Sequence, residues 1–202
     1  MAVRIVLFDL GGVVLDWDPA RLYSKILETP QERDMFLADV CTMAWHNRHD
    51  AGESFAGNAK PLIAEYPHYE DHILAWGQRW FEMFDGYVDG TPDLIARLQA
   101  RHVPLYALSN MPADPWEEML DVFPLLRVFR HAVISGEIGM VKPAPVIYHH
   151  ALAKMDDPDP AEVLFVDDRL ENIEAADALG FLTHHFTTAD GLEATLRSEG
   201  LI

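Results

Sequence analysis

Four clusters of reactive side chains stand just past short apolar runs in this chain. Asp9 ends the run at residues 3 to 8 and is followed at once by Gly11 and Gly12. Ser109 and Asn110 follow Pro104 to Leu108. Lys142 and Pro143 come soon after a run that closes at Ile134, and Asp167 and Asp168 follow Val163 to Val166, with Asn172 one helical turn further on. Two adjacent carboxylates repel each other unless positive charge sits between them. A divalent cation relieves that repulsion, and all-oxygen ligands suit Mg²⁺. Asp9 would complete the ligand set, and a turn carbonyl near Gly11 would add another oxygen. Taken singly, Asp9 could cap a turn and Asp167-Asp168 could open a helix. Together with Ser109 and Lys142, each just beyond a strand, they describe one site.

Elements of a particular kind must bring these residues together. Residues 3 to 8 read as a strand buried on both faces, and the carboxyl ends of parallel strands are where open α/β sheets bind ligands. After Gly86 helices alternate with strands: helices at Asp93 to Gln99, Trp116 to Phe123, Pro145 to Ala153, Ile173 to Leu179 and Leu192 to Leu196, strands at Pro104 to Leu108, Val128 to Ile134, Val163 to Val166 and Leu182 to Phe186. Alternation of this kind predicts an α/β fold, a Rossmann-like parallel sheet with helices on both faces. Between Asp18-Pro19, an N-cap with proline at the first helical position, and about Phe84, the patterns are helical and no strand stands out. About four helices rich in large aromatics are expected there. The predicted organisation is a catalytic core of residues 1–15 and 86–202 with an inserted helical cap of residues 16–85.

Composition narrows the function classes. The 202 residues are 50% hydrophobic, enough for a sizeable core. A formal charge of −18 argues against nucleic-acid and membrane partners, but leaves room for a small anion held by a metal and a lysine. Cys41 is the single cysteine, so no intrachain disulfide forms and a reducing compartment is expected. Asp9 interrupts the N-terminal apolar run, which suits neither a signal peptide nor a membrane span, and the cytoplasm is the expected location.

The order and spacing of Phe8-Asp-Leu-Gly-Gly-Val13, Leu108-Ser-Asn110, Lys142-Pro143 and Phe165-Val-Asp-Asp-Arg-Leu-Glu-Asn172 resemble the four motifs of the haloacid dehalogenase-like hydrolase superfamily, over essentially the whole chain. The first motif resembles a bacterial subgroup that includes a glucose-1-phosphate phosphatase. The resemblance implies a Mg²⁺-dependent phosphatase of a small phosphorylated metabolite, a sugar phosphate among the candidates. Asp9 would be the nucleophile, forming an aspartyl-phosphate that water hydrolyses. Asp9, the Gly11 carbonyl and Asp167 or Asp168 would hold the metal. Ser109, Asn110 and Lys142 would bind the phosphoryl oxygens, and Asn172 would orient the acidic pair. The family's phosphatases usually carry a second Asp two residues after the nucleophile as general acid and base, and here that position is Gly11. Asp16 and Asp18 are the nearest carboxylates, although Asp18 is better explained as a helix cap. A metal-free 2-haloacid dehalogenase and a catalytically weak binding module are the alternatives.

None of these motifs recognises a leaving group, so specificity is expected from the insertion. Trp45-His-Asn-Arg-His49, ahead of Gly52, reads as a loop, either one that faces substrate or a solvated connector. Its ring would stack on a sugar and Arg48 would pair with a second charge. The remaining histidines show no zinc-site spacing.

Overall fold

The computed structural model describes residues 2–202. Five parallel strands form the main sheet: β1 (Ile5–Phe8), β4 (Leu105–Ser109), β5 (Ala132–Ile134), β6 (Val163–Asp167) and β7 (Leu182–His185), in the order β5-β4-β1-β6-β7. The first strand is therefore central, flanked by β4 and β6. Its side chains alternate between two apolar layers, as the period of two requires. Ile5 and Leu7 pack with Tyr148, Phe165 and Ile173, whereas Val6 and Phe8 pack with Leu94, Leu98, Leu192 and Leu196.

Helices cover both faces. Among them α9 (Pro145–Ala153) and α10 (Leu170–Ala178) lie on the first face, α6 (Thr91–Ala100) and α11 (Ala189–Ser198) on the second. The helix α7 (Trp116–Val122) lies between β4 and β5, and the single turn α8 (Ser135–Ile138) follows β5. The expected strand at Val128 to Ile134 is shorter than predicted. Pro124–Val128 forms a 3₁₀ turn, Arg130 and His131 already hydrogen-bond to the β4 backbone at 2.8 and 3.0 Å, and the regular strand begins at Ala132.

The insertion contains five α-helices rather than four: α1 (Pro19–Ile26), α2 (Pro30–Asp39), α3 (Met43–Asp50), α4 (Phe55–Glu65) and α5 (Glu70–Gln78). Asp18 caps α1 as its sequence suggests, accepting from Ala20 N at 2.8 Å. Two strands were not expected here. β2 (Leu15–Trp17) and β3 (Phe84–Tyr87) pair antiparallel where the chain leaves and re-enters the core. Each is too short to carry a period of its own. The segment from Trp45 to His49 is helical, not a loop, because Thr42 accepts from Trp45 N at 3.1 Å and starts a turn that Gly52 ends. Asp114, in the loop after β4, accepts from Phe55 N at 2.6 Å and ties the start of α4 to the core. Trp76, Trp80 and Met83 of the insertion belong to the same apolar cluster as Val6 and Phe8.

Candidate active site

The carboxyl ends of β1, β4 and β6 meet at one ammonium group. Lys142 Nζ lies 3.0 Å from Asp9 Oδ1, 2.7 Å from Asp167 Oδ2 and 2.9 Å from the Leu108 carbonyl. Its position is set from behind: Asn110 Oδ1 accepts from Lys142 N at 2.8 Å and Asn110 Nδ2 donates to Lys142 O at 3.0 Å. Asn110 is thus a clamp on the lysine backbone in addition to lining the cavity. Burial pulls the lysine's pKa down, but Asp9 and Asp167 more than offset it and the net shift is upward. Lys142 stays charged.

Asp167 is fully buried and committed to partners. Besides the lysine it accepts from Arg169 N at 2.8 Å and from Asn172 Nδ2 at 3.0 and 3.1 Å. Both Asn172 bonds go to Asp167, whereas the resemblance implies a hold on the acidic pair. Asp168 differs. It is exposed to the cavity, and among the described residues no cation lies within ion-pair distance of its carboxylate. Asp9, Asp167 and Asp168 bring carboxylate oxygens within 4.8 Å of one another. One ammonium cannot neutralise three carboxylates, so the donor set fits a divalent cation. Burial raises the Asp9 carboxyl to about 7, with Asp167 and Asp168 adding to the effect and Lys142 opposing it. Burial and then Asp167 raise Asp168 as well.

The two glycines after Asp9 are not equivalent. Gly12 has φ +72°, and a Cβ there would lie 2.5 Å from an Asp168 oxygen. Gly11 has no such constraint: a Cβ would meet nothing within 4 Å. The backbone does not require glycine at the position where a second carboxylate is missing.

A cavity of about 250 Å³ opens over these residues. Its floor is Asp9, Gly11, Ser109, Asn110, Lys142, Asp168 and Asn172, and its walls are mainly apolar: Leu15, Trp17, Met43, Trp80, Phe84 and Met111. From the insertion, α3 adds Met43, His46, Asn47 and Asp50, one stripe at helical spacing. The two residues of this segment singled out in the sequence are elsewhere. Trp45 is buried in the insertion and donates from Nε1 to the Asn58 carbonyl at 3.2 Å. Arg48 faces solvent and pairs with Glu53 at 2.9 Å. Reading the segment as a loop hid the stripe. A helical reading puts positions 43, 46, 47 and 50 on one face and 45 and 48 off it.

A model of the haloacid dehalogenase-like hydrolase family matches residues 3–180. The chain belongs to that family. A sesquiterpene phosphatase of Aspergillus oryzae is 35% identical over 193 residues, covering 91% of this chain and 90% of the relative. A drimenol cyclase of Aspergillus calidoustus is 29% identical over 96% of this chain, which spans only 36% of that protein. Among solved structures, a haloacid dehalogenase family enzyme of Bacteroides thetaiotaomicron in a magnesium complex aligns with TM-score 0.74 and 19% identity, over 98% of this chain and all of the other. At that identity the likeness is one of fold. For a haloacid dehalogenase-like hydrolase, the central position of β1 between β4 and β6 accounts for how Asp9, Ser109 and Asp167 meet. No helix among the described residues is long and apolar enough to cross a membrane.

Proposed function

We propose that this hydrolase is a Mg²⁺-dependent phosphatase of a small phosphate monoester whose leaving group is apolar. The observation that carries the reading is the convergence of Asp9, Lys142 and the unpartnered Asp168 carboxylate at the floor of one cavity. Asp9, the Gly11 carbonyl and Asp168 would hold the cation, with Asp167 at its edge. When bound, the metal neutralises the carboxylates and polarises the phosphoryl oxygens. Leu10 N donates to Asp9 Oδ1 at 2.7 Å and Lys142 holds the same oxygen, so the carboxylate is aimed before substrate arrives. Asp9 then attacks phosphorus to form the aspartyl-phosphate, and water hydrolyses it. Ser109, Asn110 and Lys142 bind the phosphoryl oxygens and offset the charge that develops. The insertion, residues 16–85, serves as the cap that shields this chemistry from bulk water.

The walls bear on the leaving group. A sugar would need hydrogen-bond partners for several hydroxyls, and Trp17, Trp80, Phe84, Met43 and Met111 offer few. A hydrocarbon alcohol such as a terpenyl group suits them better, and the Aspergillus oryzae relative is a sesquiterpene phosphatase. Phosphate release from prenyl, sugar and aryl monoesters, each with Mg²⁺ and with chelator, tests this. We expect metal-dependent turnover ranked prenyl above sugar. Turnover indifferent to chelation, or halide release from a 2-haloacid, would refute the phosphatase assignment. A sugar phosphate preferred over every prenyl one would refute the leaving-group assignment alone.

A further inference from the structure

We propose that Asp50, carried over the cavity by α3, donates the proton to the leaving-group oxygen and then takes one from the attacking water. This rests on the phosphatase reading and names the residue that completes it. Asp50 lines the same cavity as Asp9 and Lys142, yet comes from the insertion. Its side chain is only 8% exposed, and its Oδ1 has no hydrogen-bond partner among the described residues. His46 Nε2 lies 3.5 Å from it, too far for a hydrogen bond. A buried carboxyl oxygen without a partner is costly and is rare without a role. Substrate oxygen or water in the cavity would supply the missing partner.

The surroundings suit proton transfer. Burial raises the Asp50 carboxyl to about 7, with Lys142 and Arg169 pulling the other way. His46 is stacked between Trp17 and Trp80 at 5.2 and 5.8 Å, and burial, then His49, lowers it to about 3. His46 is therefore neutral near pH 7 and cannot force Asp50 to ionise as an imidazolium would. Burial also lowers His49, to about 4. Lys142 and Arg169 are the cations that act on Asp50, and the Asp9 and Asp168 carboxylates line the same cavity. A group titrating near the working pH is the most effective proton carrier.

The steps balance. In the first, Asp9 Oδ bonds to phosphorus and the bond from phosphorus to the ester oxygen breaks. Its electron pair stays on that oxygen, which takes the Asp50 proton and leaves as the alcohol. In the second, water bonds to phosphorus and gives one proton to the Asp50 carboxylate. The bond to Asp9 breaks, its electron pair returns to the Asp9 carboxylate, and inorganic phosphate departs.

The test compares an alkyl phosphate, whose leaving group needs a proton, with p-nitrophenyl phosphate, whose leaving group does not. Rapid mixing separates the burst of alcohol or phenol from steady turnover. For Asp50→Asn we expect the alkyl burst rate to fall about 10²–10⁴-fold. The aryl burst should fall far less, and steady aryl turnover should drop below the burst as aspartyl-phosphate accumulates. Asp50→Glu should recover part of the alkyl rate. In the wild type the alkyl burst should decline above about pH 7 and the aryl burst should not, a comparison that needs no folded variant. Equal losses on both substrates, no loss, or matching pH profiles would overturn the role of Asp50 and leave the phosphatase reading standing. A wild type inert on both phosphates would overturn both.

Discussion

In the proposed mechanism Asp9 is the residue on which every route to product depends. Asp9→Asn preserves its shape but cannot form the acyl-phosphate, so turnover should vanish on all phosphates, including the aryl ester. Phosphate release is the readout, and residual aryl turnover above background would contradict the assignment. Gly11 provides a second test at this scale. Since a Cβ there has open space, Gly11→Asp should fold, and in an Asp50→Asn background it should restore alkyl phosphate turnover at least about 10-fold. Asp50 also predicts a stability effect with a definite sign. Its carboxyl titrates near 3.8 in the unfolded chain and about 7 in the fold, so between those values the native state holds the extra proton. Its contribution is therefore fully present below pH 3.8 and is lost as pH rises toward 7. Over that span the wild type should lose on the order of 3 kcal/mol relative to Asp50→Asn, measured by urea unfolding without metal. A difference that stays flat with pH would show that the carboxyl is not buried as described.

At the scale of elements, α3 divides its residues by face, and substitutions should follow that division. Trp45→Ala empties a space in the insertion's core and should cost about 3–5 kcal/mol by denaturant unfolding. Arg48→Ala removes an exposed ion pair and should change stability by less than about 0.5 kcal/mol, with substrate ranking unaltered. Met43→Lys places a charge at the half-exposed edge of the cavity, where it should lower kcat/KM for a prenyl phosphate several-fold more than for a sugar phosphate. If Arg48→Ala shifted the ranking and Met43→Lys did not, the face assignment would be wrong. The same helix shows how far the sequence could be read. Parallel strands announced themselves because both faces are buried, so Ile5 to Phe8 and Val163 to Val166 appear as unbroken apolar runs, and the polar residues ending them marked the floor of the site. The walls left no such mark. Met43, His46, Asn47 and Asp50 form a stripe of mixed chemistry that looks like neither a core face nor a solvent face. The two-strand ribbon of β2 and β3 escaped for another reason: three or four residues cannot display a period, and pairing across the whole insertion is a tertiary event.

For the molecule as a whole, charge is the dominant tension. The chain carries −18, and the site adds to that burden by holding three carboxylates within 4.8 Å against one ammonium. Mg²⁺ should therefore stabilise the fold as well as activate it. A ligand present at about 100 times its Kd adds about 2.7 kcal/mol. For a domain near this size that corresponds to roughly 5–10 °C in Tm. General screening of a highly acidic protein would also raise Tm, and two controls separate the effects. KCl at matched ionic strength screens long-range repulsion but cannot bridge carboxylates, so its shift should be small beside that of MgCl₂. Asp168→Asn removes the carboxylate that, among the described residues, has no cation within ion-pair distance. Because burial and then Asp167 raise the Asp168 carboxyl, its charge opposes folding, and the variant should melt higher than the wild type without metal. It should also lose most of the Mg²⁺ shift, since a metal ligand has gone. A variant that is more stable alone and less responsive to metal cannot be explained by misfolding. Equal shifts from KCl and MgCl₂, or a full Mg²⁺ shift in Asp168→Asn, would mean that the cation acts on the net charge and not at this site.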